Sequence, residues 1–260
     1  MGIVVMVLPG EQQRAFANAL HKATGKVELI VITKPRQKTE GRMRRILGAI
    51  RSGNILRELW YGALLRMSRK TRAVLGYLRG SSFVPTSPGY DAPTLYVEDA
   101  NGAELEARLT GLAPHLIVLW TAAILRPNIL ATAKRTINFH TGILPYYRGS
   151  VANQFATLRR DEKRIGSTIH YVTPGVDRGD IIAQVYADTK KQPRDAFREL
   201  NDKSLNLYID IAKRLLAEEE VPGHVQDQSE GEFFRLSDWT NERRWQLGQQ
   251  LLLWERTGKF

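Results

Sequence analysis

Cysteine is absent from all 260 residues. That excludes disulfides, thiolate nucleophiles and cysteine-ligated zinc together, and it fits a reducing compartment. Long apolar runs are lacking too: none approaches the roughly 18 residues that span a bilayer. The apolar start has no basic residue ahead of it and passes straight into Glu11, Gln12, Gln13 and Arg14. It predicts a strand and not a secretion signal, so the chain is expected to be soluble, or at most peripheral, and cytoplasmic. Acidic residues are scarce in one place. From Lys34 to Arg79 there are 13 Lys/Arg and only two acids, Glu40 and Glu58. The net charge of +11 resides in that segment, because the remainder carries 25 residues of each sign. The basicity therefore needs a local explanation. Repeats and low-complexity tracts are also missing.

What is present suits a globular protein. Hydrophobic residues make up 43% and charged residues 25%, enough for a core in one large domain with room for a small appendage. Apolar runs at 2–8 and 27–33 flank an amphipathic stretch at 13–23, which predicts strand, helix, strand. The alternation resumes with a strand at 94–98, a helix at 104–112 and a strand at 115–120. Pro127 marks a helix start, and strands follow at 136–140, 167–172 and 180–186, with a helix at 151–162 between the first two. A long helix over about 195–219 is stopped by Pro222 and Gly223. The order predicts an α/β fold with a doubly wound, mostly parallel, Rossmann-like sheet.

The basic stretch, 34–80, reads as a helical insertion. Met43, Ile46, Leu47 and Ile50 repeat at i, i+3, i+4 and i+7, and Leu56, Leu59, Trp60, Ala63, Leu64 and Met67 continue the stripe. The apolar side is expected to cover the domain and the arginines to face solvent. The alternative is a cationic surface that touches an anionic membrane or a phosphorylated substrate. The last 40 residues, with Phe233, Phe234, Trp239, Trp245 and Trp254, read as an irregular appendage on a catalytic domain of residues 1–220.

Chemistry concentrates in two turns. Side chains at i and i+2 of a strand share a face, so Asn138 and His140 project together at a strand's carboxyl end, where open α/β sheets place ligands. Pro174 and Gly175 open a second turn that carries Asp177. These types suit acyl transfer to an amine. The Asn138 amide and a protonated His140 can stabilise an oxyanion, and His140 can exchange protons near neutrality. Asp177 can orient that imidazole and favour its charged form. The residues alone leave a structural role for each equally open. His170, mid-strand in an apolar run, reads as a buried structural histidine, with a metal site of His140, His170 and Asp177 as the alternative.

Three blocks, Asn138-Phe-His140, Leu144-Pro-Tyr-Tyr-Arg-Gly149 and Val176-Asp-Arg-Gly-Asp-Ile-Ile-Ala-Gln184, resemble the signature of the folate-dependent formyltransferases over roughly residues 94–186, with weaker similarity in the first 33. That family includes glycinamide ribonucleotide transformylase, methionyl-tRNA formyltransferase and the enzymes that formylate nucleotide-linked amino sugars. The resemblance implies 10-formyltetrahydrofolate as co-substrate, no metal, and catalytic roles for Asn138, His140 and Asp177. It implies that the pterin lies against Ala123, Ile124, Leu125, Thr141, Pro174, Gly175 and Val176.

Departures from the pattern narrow the acceptor. The first turn lacks a Gly/Ser/Asn-rich phosphate loop, and the tail is too short for the C-terminal domain of the tRNA enzymes. His115, after Pro114, stands where the family usually has an acidic residue. The remaining expectation is a nucleotide-linked amino sugar of surface polysaccharide, such as lipopolysaccharide O-antigen. Aromatic rings would stack on its base and basic residues would meet its diphosphate. Partners are then a small amine, with no nucleic acid, and a homodimer is allowed. A tRNA formyltransferase, a 10-formyltetrahydrofolate hydrolase and a non-catalytic basic binding module remain as alternatives.

Overall fold

Seven of the short apolar runs become one sheet. The computed structural model describes residues 1–33, 53–79, 87–120 and 124–260, and the stripe at Met43–Ile50, together with Ala123, lies outside them. Strands β1 (Ile3–Val7), β2 (Val27–Thr33), β3 (Thr94–Val97), β4 (Leu116–Trp120) and β5 (Arg135–His140) are mutually parallel. Next, β7 (Gly166–Tyr171) runs antiparallel to β5, and β8 (Ile181–Tyr186) antiparallel to β7. The order is β3-β2-β1-β4-β5-β7-β8. A short β6 (Tyr147–Gly149) pairs instead with β9 (Glu232–Phe234).

All five residues of β1 and of β4 are buried, because helices cover both faces. Alternation assigns the sides. Ile3, Val5 and Val7 pack with Phe16, Tyr208, Ile211 and Leu215, from α1 (Glu11–Thr24) and a 24-residue helix, Pro193–Leu216. Val4 and Met6 pack with Leu105 and Leu109 of the helix Ala103–Leu112. Tyr208 is wholly buried, and its hydroxyl donates to the carbonyls of Leu119 at 2.8 Å and Ile137 at 3.0 Å, tying β4 to β5.

Two expectations change. The last 40 residues contain a 17-residue helix, Asn241–Thr257, and are not irregular. The Thr240 hydroxyl accepts from Arg243 N at 3.2 Å as an N-cap, Leu247, Leu251 and Trp254 form the buried stripe, and Gly258 ends it in the left-handed region at φ 68. These residues share one apolar cluster with Tyr147, Phe155, Phe197 and Leu200. The second change concerns the helix Ile55–Met67, termed α2 here, which buries none of its residues. Its stripe was expected to cover the domain; Leu56, Leu59, Trp60 and Met67 are exposed.

Candidate active site

The chain turns from building one side of the sheet to the other between β1 and β4, and the crevice beside that switch is where ligands of such sheets lie. At the carboxyl end of β5, Ile137 and Phe139 face the α1 side and join the core. Asn138 and His140 face the opposite way. Asn138 stands directly across from His170 on antiparallel β7, so the two share a face. The Asn138 amide donates to His170 Nε2 at 3.1 Å, while His170 Nδ1 donates to the carbonyl of Tyr171 at 2.7 Å. Asp177 Oδ1 lies 3.6 Å from the same Nε2.

His140 is 6% exposed and engaged on both ring nitrogens. Nε2 donates to the carbonyl of Tyr147 at 2.7 Å, and Nδ1 lies 3.4 Å from Asp177 Oδ2. A proton leaving this imidazole for a bound molecule has to exchange one of those partners. The ring fits only because residue 142 is glycine. A Cβ there would stand 2.8 Å from His140 Nε2 and 2.5 Å from the Ala152 Cβ. The turn after β5 is pinned by Thr168, whose hydroxyl donates to Gly142 O at 2.7 Å and accepts from Leu144 N at 3.1 Å.

Asp177 arrives from a separate turn, with its backbone in the left-handed region at φ 51, a conformation aspartate tolerates better than most residues. Oδ2 accepts from Gly149 N at 2.9 Å, and Gln226 Nε2 donates to the Asp177 carbonyl at 3.3 Å. Burial pushes the carboxyl up. The charge of His140, the hydrogen bond and charge of His170, and the Gly149 N–H together outweigh burial and hold it well below the usual carboxylate range. The carboxylate is therefore ionised at any pH near neutrality.

Asn138, His140, His170 and Asp177 line one cleft of about 620 Å³. Ile124, Leu125 and Val176 give it an apolar side, and Thr141 and Gly175 also border it. Of the residues expected around a pterin, Pro174 is exposed and absent from the lining, and Ala123 falls outside the described residues. The tail supplies Phe233, Arg235 and Leu236 to the rim. On the other side of β5 a second cavity of about 210 Å³ shares Phe139 and Thr141 with the cleft. Gln12, Gln13, Asn153, Gln154, Ser167 and Asn201 line it, and none of its described lining residues is charged. The Gln154 Oε1 atom there has no hydrogen-bond partner among the described residues.

The sequence favoured a buried structural role for His170 and joined it to His140 and Asp177 only as a metal site, whereas the structure sets it against Asn138 and Asp177. The missing signal was the pairing of β7 with β5 and its register, which set residue 170 opposite residue 138. His115 sits at the other end of β4, 3.2 Å from the Leu215 carbonyl and 3.3 Å from Glu218, far from this chemistry along its strand. Among the described residues no group of three or more metal-ligating side chains is arranged to hold an ion.

Comparison with known proteins bears on this geometry. The sequence profile of the family described as formyl transferase matches residues 1–209. A methionyl-tRNA formyltransferase of Limosilactobacillus fermentum is 37% identical over 129 residues, 47% of this chain and 40% of that protein. One from Bacillus subtilis is 31% identical over 171 residues, 64% of this chain and 51% of that protein. The matched stretch spans about half the length of these curated relatives. Among solved structures, a sugar N-formyltransferase from Shewanella superposes with a TM-score of 0.56 at 16% identity, covering 97% of this chain and 88% of the other. The formyltransferase PseJ from Anoxybacillus kamchatkensis, in complex with UDP-4,6-dideoxy-4-formamido-L-AltNAc and tetrahydrofolate, does so at 0.51 and 18%, covering 96% and 97%. Glycinamide ribonucleotide transformylase 1 of Symbiobacterium toebii gives 0.52 at 21%, covering 87% and 95%. These structures share the fold.

Proposed function

Because this chain belongs to the formyl transferase family, we propose that it moves the formyl group of 10-formyltetrahydrofolate to a primary amine, borne by a nucleotide-linked amino sugar. The observation that carries the reading is the convergence of Asn138, His140, His170 and Asp177 on one large cleft. Its volume suits a ligand of folate size. The cleft joins an apolar side, Ile124, Leu125 and Val176, to a polar end, which fits a flat heterocycle with its reactive atoms at the polar end. Those three residues, with Thr141 and Gly175, would hold it.

10-Formyltetrahydrofolate supplies an activated acyl donor when bound. The protein's own groups then have defined tasks. Asn138 offers an amide N–H to an oxygen that gains negative charge. His140 holds a proton at Nε2, and Asp177 fixes the ring through Nδ1 with its full negative charge. The amine loses one proton and the departing nitrogen gains one, so a single imidazole can serve both transfers without net proton uptake. His170 orients Asn138 and Asp177 together. In this scheme residues 1–220 carry the reaction and residues 221–260 complete the rim.

The sugar acceptor is supported by the second cavity. Its neutral amides and hydroxyls, with an unpaired Gln154 oxygen, match a hydroxyl-bearing ring better than a phosphate. Phe233, 46% exposed at the rim, offers a face for a base, and Arg178 and Arg235 offer cationic partners for a diphosphate. A tRNA acceptor is the second reading, favoured by the sequence relatives. Incubation with 10-formyltetrahydrofolate and a panel of nucleotide-linked amino sugars, with methionyl-tRNA in parallel, should give a product heavier by one carbonyl only with a sugar. Formylated tRNA alone would replace the sugar with tRNA as acceptor. Free formate without an acceptor would point to a hydrolase, and no turnover of the folate at all would refute transfer.

A further inference from the structure

Helix α2 carries large apolar side chains on its outward side as well as its inward one, unlike an ordinary surface helix, whose apolar side faces the core. Leu56, Leu59, Trp60 and Met67 are 78, 59, 64 and 80% exposed and fall at i, i+3, i+4 and i+11, one stripe along a helix. The half-buried inward side carries Glu58 together with Ile55, Tyr61, Gly62 and Leu65. Both oxygens of Glu58 accept from Asn241 N at 3.1 Å, and its carbonyl accepts from Asn241 Nδ2 at 3.0 Å. Arg57 pairs with Glu242. These polar contacts clip α2 to the N-terminus of the helix Asn241–Thr257 and turn the apolar stripe away from the body.

The charges beside the stripe have one sign. Residues 53–79 hold six Lys/Arg and the single acid Glu58, which is spent on Asn241. Arg66, Arg69, Lys70 and Arg72 are exposed at or just beyond the end of α2. An exposed apolar stripe of this kind marks an interaction site. It lies along the convex side of a helix and not in a groove, so a flat, deformable partner fits it better than an inserted peptide. A tryptophan beside leucines and a cationic rim is the chemistry of a bilayer interface. We propose that this face docks on an anionic membrane surface, with α2 in the interfacial plane, its stripe at the acyl boundary and its basic residues among the headgroups.

The test is sedimentation of the full chain with vesicles of phosphatidylcholine alone or mixed with phosphatidylglycerol. Comparison is with a Leu56→Ser/Leu59→Ser/Trp60→Ser variant that keeps every basic residue. The expected result is binding to the anionic vesicles, weakened at least about tenfold in the variant, with an unchanged Tm because the three side chains are exposed. No binding to anionic vesicles overturns the proposal, and so does equal binding by the variant, which would be adhesion by charge without the stripe. A lowered Tm in the variant means that the chain itself covers the stripe. A dimer that dissociates in the variant means that a second copy does. Either result overturns it.

Discussion

Replacing Asp177 by asparagine isolates its charge from its shape. Asparagine can keep the acceptor for Gly149 N, now at 2.9 Å, and it tolerates the left-handed backbone at φ 51. What disappears is the negative charge 3.4 Å from His140 Nδ1 and 3.6 Å from His170 Nε2. Removing one partner of a buried ion pair costs roughly 3–5 kcal/mol when the other charge is stranded. Here His140 keeps its hydrogen bond to Tyr147 and His170 those to Asn138 and Tyr171, so a loss of about 1–3 kcal/mol is expected, with a Tm lower by about 3–10 °C. The rate should suffer more. Loss of a positioned acid–base or charge-stabilising group slows turnover at least about 100-fold, equivalent to about 2.7 kcal/mol of barrier. KM values should stay near those of the parent, because Asp177 makes its contacts with the protein. The assay follows formylated product by mass and the Tm in the same preparation. A variant that turns over within about threefold of the parent would remove the Asp177 charge from the mechanism.

Two further outcomes follow from the same geometry. The Asp177 carboxyl is held below its usual 3.8 in the folded protein, so the unfolded chain takes up that proton first as pH falls. The stabilisation is complete above pH 3.8 and fades below it; the Tm gap between the parent and Asp177→Asn should narrow there, and a constant gap would contradict the assignment. Gly142→Ala places a Cβ 2.5 Å from that of Ala152 and 2.8 Å from His140 Nε2. It should cost about 1–3 kcal/mol by overpacking and lower the transfer rate beyond what the Tm accounts for, whereas a parental Tm and rate would show that the turn has slack.

Much of the fold could be read because apolar runs and turn residues act locally. The runs in β1, β2 and β4 are long enough to require cover on both faces, and the helices between them show their period directly. The tail helix was readable in the same terms, through Thr240, the spacing of Leu247, Leu251 and Trp254, and Gly258. Its aromatic residues drew the reading toward composition and away from period. The pairing of Asn138 with His140 followed from the two-residue repeat of a strand, which needs no knowledge of neighbours.

His170 shows the limit of that reasoning. Nothing in residues 166–171 states that they pair with β5 or in which register, yet that register decides whether an imidazole faces Asn138 or the core. Asp177 and Gly149 meet through a contact between residues 28 positions apart, and Gln226 reaches the same turn from the tail. Likewise the stripe of α2 is visible in the chain as written, but which side meets water is set by Glu58 and Asn241, 183 positions apart. Local order, charge and residue chemistry came from the amino-acid sequence by itself, because periodicity and turn preference are properties of neighbouring residues. The assembly of the four-residue cluster, and the outward face of the basic helix, were decided by tertiary structure, because they depend on strand pairing and register and on polar contacts between distant segments.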